Sequence, residues 1–198
     1  MTAYFKISRS ARNLSAALAL GALAHGPPVA ASTAKWKIDP TRTHIAFAID
    51  AVGYPRTEGQ FRRFDGRIAV DFDNPGKSSV AFHVQSQSVD VGSSSFGDYV
   101  RSGAFLDVGR FPTIDFVSNS VEKIDDHTVR VSGDLTLLGV TKPLTVNVAV
   151  RRENGGAAGR LGFLAKTSIN RFDFGMTAGF PMVSRDVELV ISSEAAEL

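Results

Sequence analysis

Three histidines beyond the first 31 residues, His44, His83 and His127, are the side chains best suited to general-base or metal chemistry at neutral pH. None stands at the spacing of a metal pair, and no His-Glu-x-x-His occurs. Serine is common, but no Gly-x-Ser-x-Gly elbow presents one as a nucleophile. Gly76-Lys77-Ser78 imitates the end of a phosphate loop. The glycine that loop needs five residues earlier is Asp71, and a strand pattern follows where a helix should. Gly155-Gly156-Ala157-Ala158-Gly159 also leads into a strand and reads as a turn, not a dinucleotide fingerprint. No cysteine is present, which excludes disulfides, thiolate metal sites and a thiol nucleophile. The residues thus name no catalytic group, no metal ligand set and no cofactor. Arg101-Ser102, beside the apolar pair Phe105-Leu106, has two readings: contact with a ligand head group, or a cation at a helix C-terminus.

The elements that would position such residues are strands. From Trp36 onward the apolar residues alternate with period two. Ile45, Phe47 and Ile49 share a face, opposite His44, Ala46, Ala48 and Asp50. Phe64, Gly66, Ile68, Val70 and Phe72 share the next, and Val80, Phe82 and Val84 another. Asp73-Asn74-Pro75-Gly76 marks a turn between them. Ile114 with Phe116, then Val129, Val131, Gly133, Leu135 and Leu137, continue the pattern. Leu144, Val146, Val148 and Val150 follow a turn expected over Leu138–Pro143, and Arg151 to Gly159 forms the next turn. Leu161, Phe163, Ala165 and Ile169 precede a last strand with Val187, Leu189 and Ile191. Only Ser93 to Asp107 departs. There Phe96, Tyr99, Val100 and Ala104 are spaced as on one helix face, behind N-cap serines. About eight strands in hairpin order, with one helical insertion, predict an all-β antiparallel barrel that closes on itself. Eight strands enclose just enough space to fill with side chains or to hold one ligand. Gly59, Gly66, Gly133 and Gly162 lie within strands, where they leave room or let the sheet coil.

Composition agrees. Fourteen phenylalanines against one tryptophan and three tyrosines favour a dry interior. Lys6, Arg9 and Arg12, the apolar run Leu14 to Ala24, and small residues at Val29-Ala30-Ala31 have the order of a signal peptide. Cleavage is expected near Ala31, with Ala24 and Ala34 as alternatives, so residues 1–31 are a leader and the product is exported, to a bacterial periplasm. Loss of the leader leaves 19 basic residues against 20 acidic ones. That near-neutral balance gives no electrostatic case, from overall charge, for nucleic acid or an anionic membrane.

Four stretches carry a resemblance: SVDVG at Ser88–Gly92, RSGAFLDVGRFPTIDF at Arg101–Phe116, GDLTLLGVTKPLTV at Gly133–Val146 and INRFDFGM at Ile169–Met176. Together and in this order they resemble the YceI-like family, from Trp36 to the C-terminus. The resemblance implies a lipocalin-like barrel with an elongated apolar cavity that binds a polyisoprenoid, quinone-type tail or related lipid, with no assigned enzymatic activity. It also allows a homodimer and transient membrane contact. One departure stands out. Where the family carries an Arg-Asp-x-His-Leu-Arg-Ser run, this chain reads Phe96-Gly97-Asp98-Tyr99-Val100-Arg101-Ser102, which makes the lid more apolar.

The expected ligand-lining residues are Phe47, Phe64, Ile68, Phe82, Val84, Phe116, Leu135, Leu137, Val146 and Phe163. Phe96, Tyr99, Val100, Arg101, Phe105 and Leu106 are expected at the lid or mouth. Two rival readings make different demands. A hydrolase or isomerase acting on a lipid-like substrate needs His44 or His83 inside the cavity, bonded to a carboxylate or serine. An interaction module needs a solid core with interdigitated phenylalanines and no tunnel.

Overall fold

The computed structural model describes residues 34–71, 73–153 and 160–197. The expected leader over residues 1–31, Phe72 and most of the expected turn over residues 151–159 lie outside them. Eleven strands are present: β1 Ala34–Ile38, β2 His44–Ile49, β3 Thr57–Phe61, β4 Phe64–Val70, β5 Ser79–Gln85, β6 Val89–Asp90, β7 Thr113–Lys123, β8 Thr128–Leu137, β9 Val140–Glu153, β10 Arg160–Asn170 and β11 Asp186–Glu197. One helix, α1, spans Ser94–Arg101.

Eleven segments exceed the eight strands expected, because three long strands are interrupted. A 3-10 turn at Pro40–Arg42 separates β1 from β2, Arg62-Arg63 separates β3 from β4, and Ser86–Ser88 separates β5 from β6. The pairings respect the original count. β11 takes both β1 and β2 along one edge, β4 joins β1 to β5, and β3 joins β2 to β6. The rest follow in hairpin order from β5 through β7, β8, β9 and β10 to β11. The ladder returns to its start, so the sheet closes as an eight-position antiparallel barrel, without a free edge along most of its wall.

The turns 71–78 and 124–127 lie at one end of the barrel, the turn end. The segments 50–56, 86–112, 138–139 and 171–185 lie at the other, the lid end. α1 starts where Ser93, in extended conformation, accepts a hydrogen bond from the Phe96 N–H. It stops at Ser102, whose Oγ donates to the Tyr99 carbonyl. The short helix expected from the spacing is present, but Ala104, placed on its face by that spacing, falls in the turns beyond.

The β8–β9 turn is tighter than expected. Leu138 and Gly139 both take positive φ, 52° and 72°, as a two-residue hairpin of the primed type requires. Val140 already belongs to the strand, and Pro143 lies within it opposite Asp134. Proline is tolerated there because β9 pairs with β10 only from Val148 onward, so the missing N–H interrupts no ladder on that side.

Candidate functional site

The alternation in β9 shows what the inner faces meet. Thr145, Asn147 and Ala149 are exposed, while Leu144, Val146, Val148 and Val150 between them are only half-buried. Phe47, Phe82, Phe116 and Phe163 are likewise half-buried although they face inward. Inward side chains that stop short of full burial border open space. That space is a tunnel of about 370 Å³, within the range of small-molecule sites.

Its middle is apolar, with Ile45, Phe47, Phe82, Val84, Phe116, Val131, Leu135 and Val146 on the wall. Phe96, Val100, Phe105 and Leu106 close over it at the lid end. Asp71, Ser78, Lys123, Asp125, Asp126, His127 and Thr128 line its turn end. The solid-core arrangement is thereby excluded, although part of the interior is filled. Trp36, Ile38, Leu161 and Ala195 are buried together with Ile68 and do not border the tunnel.

Thirteen of the sixteen expected site residues line the tunnel: Phe47, Ile68, Phe82, Val84, Phe96, Val100, Phe105, Leu106, Phe116, Leu135, Leu137, Val146 and Phe163. Three do not. Phe64 packs into the filled cluster around Trp36 and Ile38. Tyr99 stands half-exposed on the outer side of α1, edge-on to Phe105 at 5.2 Å. Arg101 donates to the Val89 carbonyl and to Asp98, 2.9 Å each, and so clamps α1 to β6 in a separate surface hollow. Arg101 thus stands in the last turn of α1, as a cation at a helix C-terminus does, and it does not border the tunnel. Nearby, the Gly92 N–H, and then Arg62, hold the Asp90 carboxyl below its ordinary pKa, which ties β6 to the lid segment.

His83 does hydrogen-bond a carboxylate, Asp115, but the imidazole lies on the outer wall and is exposed. His44 is exposed at the start of β2, and His127 stands in the turn-end rim.

Two side chains escaped the sequence reading. Asp71 is buried at the turn end. One of its oxygens accepts the Asp73 and Asn74 N–H groups, and the other has no partner among the described residues. Arg171 is fully buried at the lid end and borders the tunnel. Burial lowers its guanidinium from the ordinary pKa, yet the group remains charged. Its place directly after a strand, in the INRFDFGM stretch between Ile169 and Phe172, is the signal that could have singled it out.

Glycine keeps the tunnel open at one point in particular. Gly59 lies opposite Phe47 across the β2–β3 ladder, and a Cβ there would collide with the far edge of the Phe47 ring. The ring lies flat against the glycine instead of crossing the lumen. Gly59→Ala should turn it inward, lower stability by only about 1–3 kcal/mol, and cut lipid uptake several-fold in a vesicle-extraction assay. Gly133→Ala should damage the fold more, because its Cβ would meet the Val117 carbonyl and the Ser118 backbone, which cannot swing aside.

A closed antiparallel barrel around an apolar tunnel, with a short helix over one end, defines a lipocalin-like fold. The sequence matches the YceI-like domain over residues 36–195. Protein YceI of Salmonella arizonae is 36% identical over 171 residues, which cover 84% of this chain and 89% of that protein. The chain belongs to the YceI-like family. Among solved structures, BcnA of Burkholderia cenocepacia has the same fold, with a TM-score of 0.73 at 23% identity over 79% of this chain and 98% of that one. A polyisoprenoid binding domain from Saccharophagus degradans, implicated in plant cell wall breakdown, matches with a TM-score of 0.68 at 16% identity, over 84% of this chain and 100% of that one.

Proposed function

We propose that this protein is an exported carrier or sequestering protein for the apolar chain of a polyisoprenoid, quinone-type lipid or related lipid, and not an enzyme. The observation that carries the reading is the tunnel, apolar along its middle and bordered by half-buried inward side chains. Kinship supports it, since a relative of the same fold is described as polyisoprenoid-binding. The energetics are sufficient. Burying hydrocarbon is worth about 0.8 kcal/mol per CH₂, so one five-carbon unit contributes roughly 3–4 kcal/mol gross. A few such units outweigh the ordering of a flexible chain and leave micromolar binding or tighter. No reacting group is required for that work. His83, the histidine with a carboxylate partner, is exposed on the outer wall and does not border the tunnel.

The leader composition supports export to a periplasm, where a carrier meets membranes transiently at both faces of the compartment. The test is extraction of the purified mature protein followed by lipid mass spectrometry. A co-purifying isoprenoid, or its uptake from isoprenoid-loaded vesicles, is expected. A protein that returns none and takes none up refutes the reading. Protein recovered from the cytoplasmic fraction, with residues 1–31 still attached, refutes export.

A further inference from the structure

The exposed apolar side chains are not spread evenly. Nine large ones are exposed among the described residues, and six lie at the lid end: Val52 (65%), Tyr54 (73%), Phe96 (38%), Tyr99 (50%), Phe180 (51%) and Met182 (49%). At the turn end Ile124 stands alone, among exposed Lys77, Lys123, Asp125 and Asp126. Among the described residues the exposed apolar side chains thus gather at the lid end, and the turn end is mainly polar.

Four of the six belong to two loop tips tied to each other. Ala51 bridges Val183, the Val52 N–H donates to the Met182 carbonyl, and the Ser184 N–H donates to the Asp50 carbonyl, 2.8 Å each. The tips stand on the tunnel rim. Ile49 and Thr57, which flank the first loop, line the tunnel, as do Met176 and Val187 beside the second. The charges at this end are mostly neutralised in place: Arg56 by Asp50 and Glu188, Arg62 by Asp90, Arg101 by Asp98 and Arg110 by Asp107. Paired charges approach hydrocarbon at lower cost than lone ones. Arg185 differs. It lies over the Phe172 and Phe180 rings, 5.1 and 4.8 Å from their centroids, and makes no ion pair among the described residues. Aromatic and apolar tips beside an arginine stacked on aromatic rings are the combination that settles at a phospholipid head-group layer.

We propose that the rim formed by Val52, Tyr54, Phe180, Met182 and Arg185 docks the lid end on an anionic phospholipid bilayer, so that the tunnel opens toward the membrane. The proposal rests on the carrier reading for its purpose, but its test does not depend on the cargo. The mature protein is mixed with phosphatidylcholine vesicles, with and without one-third phosphatidylglycerol, and cosedimentation is measured. Binding is expected to rise with the anionic lipid. Val52→Ser/Tyr54→Ser/Met182→Ser should weaken it by at least about tenfold, and Tyr54→Ser alone by less. Arg185→Gln should remove the preference for anionic vesicles and keep the weak neutral binding. Leu164→Ser, an exposed apolar residue on the barrel wall, should change nothing. Circular dichroism, and isoprenoid occupancy in detergent, should be the same for the rim variants as for the native protein. Docking is overturned if the native protein ignores vesicles, if the rim variants bind as it does, if Leu164→Ser weakens binding equally, or if the rim instead mediates a dimer that the triple variant abolishes. Loss of occupancy in the native protein would count against the carrier reading alone.

Discussion

Ala165→Phe is expected to abolish lipid binding while leaving the barrel folded. Ala165 sits on the inner face of β10, between Val148 of β9 and Ile191 of β11, and borders the tunnel. A phenyl ring there occupies space that a chain would otherwise fill, on the order of one isoprene unit. At about 0.8 kcal/mol per CH₂, losing that unit costs roughly 3–4 kcal/mol, or two to three orders of magnitude in Kd. Overpacking usually destabilises a core because every neighbour is already in contact. Here the ring enters a void of about 370 Å³, so Tm should hold or rise. Leu164→Phe, one residue away and facing outward, should leave both quantities unchanged. Paired titrations with a fluorescent isoprenoid and a thermal melt check the prediction. Undiminished binding by Ala165→Phe would mean that ligand does not occupy this stretch of the barrel.

The phenylalanine rings show why strand patterning reaches the wall but stops short of the lumen. Phe47 and Phe82 alternate with polar or small neighbours, and Phe116 and Phe163 keep period two with Ile114 and with Leu161 and Ala165, which assigns all four to the inner face without any knowledge of the partner strands. Phe64 obeys the same alternation, yet it packs into the filled cluster. Its neighbours there, Trp36 and Ile38, come from a strand whose pairing with β4 is fixed by closure of the barrel, a long-range event. Interruptions were invisible for a related reason. Ser86–Ser88 folds into a 3-10 turn because the Ser88 Oγ donates to the Gln85 carbonyl and the Ser86 N–H donates to the Pro112 carbonyl, from distant sequence. The lid was legible as a helix from its spacing and its serine cap. Its end was not, because Ser102 leaves the helical conformation and turns its own N–H and Oγ back onto the Tyr99 carbonyl. The separation of greasy and polar ends was never in the local pattern. It exists only once the hairpin order sends loops 50–56 and 171–185 to the same end.

Arg171→Met is expected to be the most destabilising single change in the molecule. The Arg171 side chain is fully buried and donates from Nε to the Ser184 carbonyl at 2.7 Å, from Nη1 to the Met176 carbonyl at 2.6 Å and from Nη2 to the Val183 carbonyl at 3.1 Å. No carboxylate shares the site among the described residues, so the backbone oxygens alone compensate the buried charge. Methionine matches the stem but leaves three carbonyls without their donors. Each buried unsatisfied group costs about 1–3 kcal/mol, and the set amounts to about 3–5 kcal/mol after relaxation. That is a large fraction of the 5–15 kcal/mol typical of a whole domain, and for a barrel of this size it corresponds to a fall in Tm of roughly 10–15 °C. Arg171→Lys keeps the charge but loses the planar fork, so it should recover less than half of the deficit. The same bonds hold the segment from Met176 to Arg185, which carries Phe180 and Met182 to the tunnel rim. Hydrogen exchange in the Met variant should therefore quicken first at residues 176–185 and only later in the barrel strands. A variant that melts within about 3 °C of the native protein, with that segment still protected, would show that the loop is held by the Ala51–Val183 bridge instead and that the guanidinium is dispensable to the mouth.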